Sequence, residues 1–264
     1  MTSLAHDRYC AEIIDQVRQL RAVVTSGADL SVRVPTCPDW TLEQLVRHTG
    51  GALRWAALMV RTRAAEEIPE EQVPAAEGPE GEGDPAALDA WLAESGELLT
   101  GALREAGPDA EVWGWAGVHD AGFWARRMTH ELVVHRADAT LAAGLPYTVA
   151  PEVAADAIDE WLGIVAWAER TGDPEAVELN RRRGSIHLHA TDARPETAAE
   201  WLIELGGDGV VWRRAHERAT VALRGPLTEV LLAFYRRRPL DGGELEILGE
   251  RELLEYWLER ATFG

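Results

Sequence analysis

Residues 126–139, RRMTHELVVHRADA, hold the densest set of groups in the chain that can do chemistry. A metalloprotease helix carries two histidines four apart, whereas His130 and His135 stand five apart. At about 100° per residue these two diverge by about 140°, so they cannot share a helix face. Glu131 and His135 diverge by only about 40°, Asp138 returns to within about 20° of Glu131, and Arg127 lies one turn earlier. The spacing predicts one row, Arg127, Glu131, His135 and Asp138, with His130 pointing elsewhere.

A carboxylate and an imidazole on adjacent turns can both reach one divalent cation. A catalytic zinc usually takes three protein ligands and keeps one position open. The third ligand must come from another helix, and His48 is the candidate. It follows Leu45 by three residues and precedes Trp55 by seven, which puts it at the edge of an apolar stripe. A His, Glu, His set gathered from two helices of a bundle is a plausible metal site. The same residues also read as an ion pair, Glu131 with His135, beside a core histidine, His48. Spacing leaves both readings open.

The other candidates are weaker. His187 and His189 alternate on a strand pattern, so they share a face where a packing role is expected. His119 precedes the fourth helix and is placed to line the mouth of a cleft. His6 and His216 read as surface residues. Cys10 fits helix packing, and Cys37 sits between Pro35 and Pro38 in a turn. The chain has no lysine, which excludes a Schiff base and a Walker lysine. No glycine-rich phosphate loop or G-x-S-x-G elbow occurs.

Elements must position the row. Helical spacing covers about His6–Val24, and VPTCPDW follows as an irregular stretch. Thr41 and Gln44 form a capping-box pattern that opens a second helix through Leu58. Pro85 opens a third through Leu103, and a fourth runs from about Asp120 to Ala143. These suggest a four-helix bundle. A fifth helix spans about 151–170. After Arg181 the pattern changes: SIHLHAT, GVVWRR and ATVALRG read as strands, PLTEVLLAFYRR as a helix, LEIL as a short strand and ERELLEYWLER as a final helix. The expected fold class is α+β, with a helical bundle domain over 1–175 and a small α+β domain over 181–264.

The 264 residues carry 26 basic and 45 acidic side chains, a formal charge of −19. Residues 1–180 hold 13 basic and 31 acidic groups, while 181–264 hold 13 and 14. Such acidity opposes nucleic-acid backbones. Glu66 to Asp84 carries eight acidic and no basic residues, with three prolines and three glycines, and is expected to be a mobile loop. No apolar run is long enough to span a membrane, and the first residues lack a signal pattern. With two cysteines, the expectation is a reduced, cytoplasmic protein.

Two segments, VPTCPDWTLEQLVRHTGGALRWA (34–56) and FWARRMTHELVVHRADA (123–139), resemble the mycothiol-dependent maleylpyruvate isomerase family of actinobacteria, within the wider DinB-like metal-binding helical bundles. LLAFYRRRPLDGGELEILGERELLEYW is similar to that family's second domain, an α+β module of sterol-carrier type. The resemblance implies a zinc ion held by His48, Glu131 and His135. It also implies an Asp three residues on, here Asp138, and an arginine in the second domain, matched to Arg237 with Arg236 and Arg238 as neighbours. Family members often carry a glycine where this chain has Arg236.

The implied chemistry follows from the metal. A free thiol has a pKa of about 8.5, and coordination deprotonates it. No cysteine is placed to serve, so the thiol would be a small cofactor, mycothiol by resemblance. The thiolate could add to an activated double bond, allow rotation and leave, which is a cis–trans isomerisation. It could instead attack another electrophile, as a mycothiol S-transferase does. Asp138 could orient His135 or move a proton, and Arg127 or Arg237 could hold a substrate carboxylate. The expected substrate is a small electrophile, with an anionic one compatible with these arginines. A non-catalytic small-molecule or lipid-binding protein stands as the rival reading.

Overall fold

Thr41 starts the helix that carries His48. Its backbone N–H donates to Gln44 Oε1 (2.8 Å) and its hydroxyl accepts from Gln44 N–H (3.2 Å), closing the expected capping box. The computed structural model describes residues 4–207 and 209–262. The chain divides into two compact units, Met1–Tyr147 and Thr148–Gly264.

The first unit holds α1 (His6–Val24), α2 (Leu42–Thr62), α3 (Pro85–Ala106) and α4 (Ala121–Ala142). Asp84 and Asp120 cap α3 and α4 through their carboxylates, satisfying N–H groups that helix starts leave open. α1 and α2 each pack against both α3 and α4. VPTCPDW is not irregular. It forms a small hairpin, β1 (Arg33–Val34) with β2 (Cys37–Thr41), turning at Pro35 and Thr36.

The bundle interior is two apolar clusters rather than one. Ile13, Leu53, Leu99, Trp124 and Leu132 belong to the first. Leu20, Leu45, Val46, Leu88 and Leu92 belong to the second. Polar side chains also lie buried in this unit: Gln16 on α1, Thr49 and Arg54 on α2, Ser95 on α3, and Arg127, Arg136 and Asp138 on α4. Burying such groups costs stability unless they are hydrogen-bonded or paired.

Residues 66–84 do not hang free. Arg47 donates to the carbonyls of Glu77 (2.8 Å) and Pro79 (2.9 Å), Trp55 Nε1 to Ile68 O (2.7 Å) and Trp91 Nε1 to Ala75 O (3.0 Å). Val73 is buried beneath them. Composition could not reveal this, because the donors lie on α2 and α3.

The second unit holds α5 (Pro151–Thr171), α6 (Pro174–Glu178), β3 (Gly184–Ala190), β4 (Glu200–Leu205), β5 (Val211–Arg214), β6 (Val221–Gly225), α7 (Leu227–Phe234), β7 (Glu246–Gly249) and α8 (Arg251–Arg260). Its sheet runs β5-β4-β3-β6-β7, with β3 and β6 parallel and the other pairs antiparallel. The expected domain limits, 1–175 and 181–264, put the fifth helix with the bundle; here it packs with the sheet. Asp159 on α5 accepts Trp201 Nε1 (2.7 Å) and a two-point contact from Arg214 (3.0 and 2.7 Å). Tyr235 O–H donates to Ala157 O (2.8 Å). β4 escaped the strand reading because Trp201, Leu202 and Ile203 are all buried, giving an apolar run without alternation.

Candidate metal centre

Five of the sequence-predicted residues, His48, Arg127, Glu131, His135 and Asp138, meet on α2 and α4. His135 Nε2 lies 2.9 Å from Glu131 Oε1, and His48 Nε2 lies 4.0 Å from the same oxygen. The His48 and His135 rings stand 5.2 Å apart and nearly perpendicular, at 87°. One ligand atom from each of His48, Glu131 and His135 falls within 4.8 Å of the others. One divalent ion can be reached by all three. Two imidazoles and a carboxylate are the donor set that suits zinc and similar ions, so these residues fit the metal that the resemblance implies.

The row on α4 continues in both directions as spacing predicts. Arg127 Nη2 donates to Glu131 Oε2 (3.1 Å). Asp138 Oδ2 lies 3.1 Å from His135 Nδ1, and Asp138 Oδ1 accepts from the Thr36 hydroxyl at 2.6 Å. Asp138 is wholly buried, while the His48 side chain is 42% exposed. The trio is therefore backed by protein on the Asp138 side and open to solvent at His48. His48 does not look into an apolar core. Its ring lies 4.7 Å from that of Trp40 on β2.

Electrostatics follow from this packing. Burial disfavours the His135 imidazolium, but hydrogen bonds to Asp138 and Glu131, and the charge of both, outweigh it and push the pKa up to about 9. Burial also opposes the Glu131 carboxylate. Hydrogen bonds from His135 and His48, with the charges of His135 and Arg127, hold it well below the usual range. Without an ion, the pair is a charged one. Asp138 on Nδ1 leaves Nε2 as the nitrogen that faces Glu131 and His48.

The remaining candidates separate. Arg127 is already paired with Glu131, so its first task here is to hold that carboxylate. Arg237 lies in the second unit beyond α7 and donates to Tyr235 O (2.8 Å). His130 is buried edge-on against Tyr9 (6.3 Å, 83°), away from the trio as expected. His119 Nδ1 accepts from Gly114 N–H (3.3 Å) and serves a turn. Thr36 and Trp40 were not singled out from the sequence. Their signal was position: both fall in the segment leading into α2, whose hairpin brings them beside α4 and His48.

Comparison with known proteins adds three findings. Residues 10–140 match the family described as mycothiol maleylpyruvate isomerase N-terminal domain, and residues 152–255 match the MDMPI C-terminal domain. No curated protein matches the sequence. Among solved structures, the fold resembles a crystal structure of a histidine-to-alanine mutant of mycothiol-dependent maleylpyruvate isomerase, at 20% identity and a TM-score of 0.50 over 88% of this chain and 90% of that one.

Proposed function

This chain belongs to the mycothiol maleylpyruvate isomerase family, and from that premise we propose that it is a zinc-dependent enzyme that uses mycothiol to isomerise a small electrophile of the maleylpyruvate type. The observation that carries the reading is the convergence of His48, Glu131 and His135 within 4.8 Å, in the domain that matches the family. A bound divalent ion would supply Lewis acidity, turning a coordinated thiol into a thiolate able to add to an activated double bond and leave again.

The chain's own residues set up that chemistry. Glu131 stays ionised because Arg127 and His135 hold it. Asp138 fixes the His135 ring through Nδ1, and Thr36 fixes Asp138. His48 forms the open side, where a thiol and substrate can enter. Asp138 is also the proposed proton carrier, and Arg127 and Arg237 are the proposed cations for a substrate carboxylate, Arg237 on the resemblance alone. Their guanidinium forks suit a planar carboxylate.

The test is zinc content and mycothiol binding in the tag-free chain, before and after His48→Ala. The substitution is expected to remove one equivalent of zinc and the heat of thiol binding. Unchanged zinc content in the variant overturns the ligand assignment. Turnover of maleylpyruvate with catalytic mycothiol supports isomerisation; a thiol conjugate that accumulates points instead to S-transfer.

A further inference from the structure

The second unit contains a tighter group of ligand atoms than the bundle. His187 and His189 alternate on β3, on the face opposite Ile186 and Leu188. Glu200 on β4 stands directly across from His189 in the ladder. His216 follows β5, where Ala215 N–H donates to Glu200 O (3.1 Å) and brings the chain back over the sheet. The three imidazoles converge on a single atom. His187 Nε2 and His189 Nδ1 each lie 3.0 Å from Glu200 Oε2, and His216 Nδ1 touches the same oxygen.

We propose that His187, His189, Glu200 and His216 form a second site for a divalent transition-metal ion, closed by four protein ligands. Hydrogen bonding alone accounts poorly for the arrangement. A carboxylate oxygen offers two lone pairs, yet three rings are gathered on this one. Their centroids form an almost equilateral triangle, with all three separations 5.5 Å. Three imidazoles bound tetrahedrally to one ion through bonds of about 2.0–2.1 Å place their ring centres about 5 Å apart, with ligand atoms roughly 3.3 Å from one another. The four ligand atoms here lie within 4.8 Å of each other.

The donor set selects the ion class. Imidazole-rich sites with one carboxylate favour zinc and its neighbours over magnesium or calcium, which prefer oxygen. With Glu200 in the fourth position no place is left for a substrate, so the ion acts as a staple. It joins β3, β4 and the β5–β6 connection, consecutive segments of the sheet. His216 is 73% exposed and gives the ion its way in, while His187 anchors the buried side. The inference does not rest on the bundle site, which lies in the other unit.

Zinc content after loading and desalting, on tag-free full-length chains, tests it. Two ions are expected in the unaltered chain and one in His216→Ala, whose exposed side chain can be removed without disturbing the packed sheet. One is expected in His48→Ala, and none in His48→Ala combined with His189→Ala and His216→Ala. Cobalt should give the intense visible bands of tetrahedral coordination in His48→Ala, and His216→Ala should abolish them. Zinc should raise the melting temperature of His48→Ala but not of the His48→Ala/His216→Ala pair. A His48→Ala chain without zinc, or zinc retained by the triple variant, overturns the proposal. One ion kept by His48→Ala and lost in His216→Ala would sink the bundle reading and leave this one standing.

Discussion

His135 stands between two carboxylates, and that decides how an ion must compete for it. Its folded pKa of about 9 lies above the ordinary 6.5. In the metal-free chain its charged form therefore adds stability that is complete below 6.5 and is lost as pH rises through 9. A metal takes the opposite side, because it binds the neutral ring and must expel the proton. Zinc affinity at the bundle site is expected to rise roughly tenfold per pH unit up to about pH 9 and then level. Competition against a chromophoric chelator in the His216→Ala chain measures this; a flat profile means that no proton leaves His135. Asp138→Asn removes one of the charges that raise this pKa. It is expected to weaken zinc about 10–100-fold, as changes behind a ligating histidine do, and to move the plateau to lower pH. An unchanged plateau would show that Asp138 only packs. The α4 row itself was legible, since Glu131, His135 and Asp138 share a face by arithmetic alone. Thr36 and Trp40 were not, because their place depends on a hairpin that folds back beside α4.

The elements divide in the same way. Those with a strong local signal read correctly: the Thr41 cap, the starts of α3 at Pro85 and of α4 near Asp120, and the alternation of β3. Those decided by tertiary packing did not. β4 lost its alternation because both its faces are covered, and the 66–84 segment is held by side chains from α2 and α3. Gly50 shows how closely those helices meet. A Cβ there would lie 2.1 Å from the Trp91 ring, and that ring is fixed by its bond to Ala75 O. Gly50→Ala is expected to cost about 1–3 kcal/mol through overpacking, lowering the melting temperature by several degrees. Gly101 on α3 is the control. A Cβ there meets nothing within 4 Å, so Gly101→Ala should be neutral or stabilising by up to about 1 kcal/mol. A Gly50→Ala chain as stable as the Gly101→Ala chain would mean that α2 and α3 can separate to admit a methyl group.

At the scale of the whole molecule, the consequential difference is where the chain divides. Composition suggests a break after α5, at the run of Gly172, Asp173 and Pro174 before three arginines. Packing puts it before α5, at 147/148. The reason is chemical. Arg214 and Trp201 both direct polar atoms at Asp159, and Asp159 is 5% exposed. Removing α5 would take Asp159 from Arg214 and the Trp201 indole and take Trp161 from its 5.2 Å contact with Tyr235, uncovering both buried rings. Exposing a large buried side chain costs about 1.5–3 kcal/mol, so uncovering several is a large share of the stability of a domain this small. A fragment of 148–264 is therefore expected to melt cooperatively, while 176–264 should fail to fold. Each proposed metal site lies wholly within one unit, so 1–147 should keep the zinc that His48→Ala removes and 148–264 the zinc that His216→Ala removes. A folded 176–264 would place the boundary where composition puts it, and α5 would then be an addition to the sheet rather than part of its core.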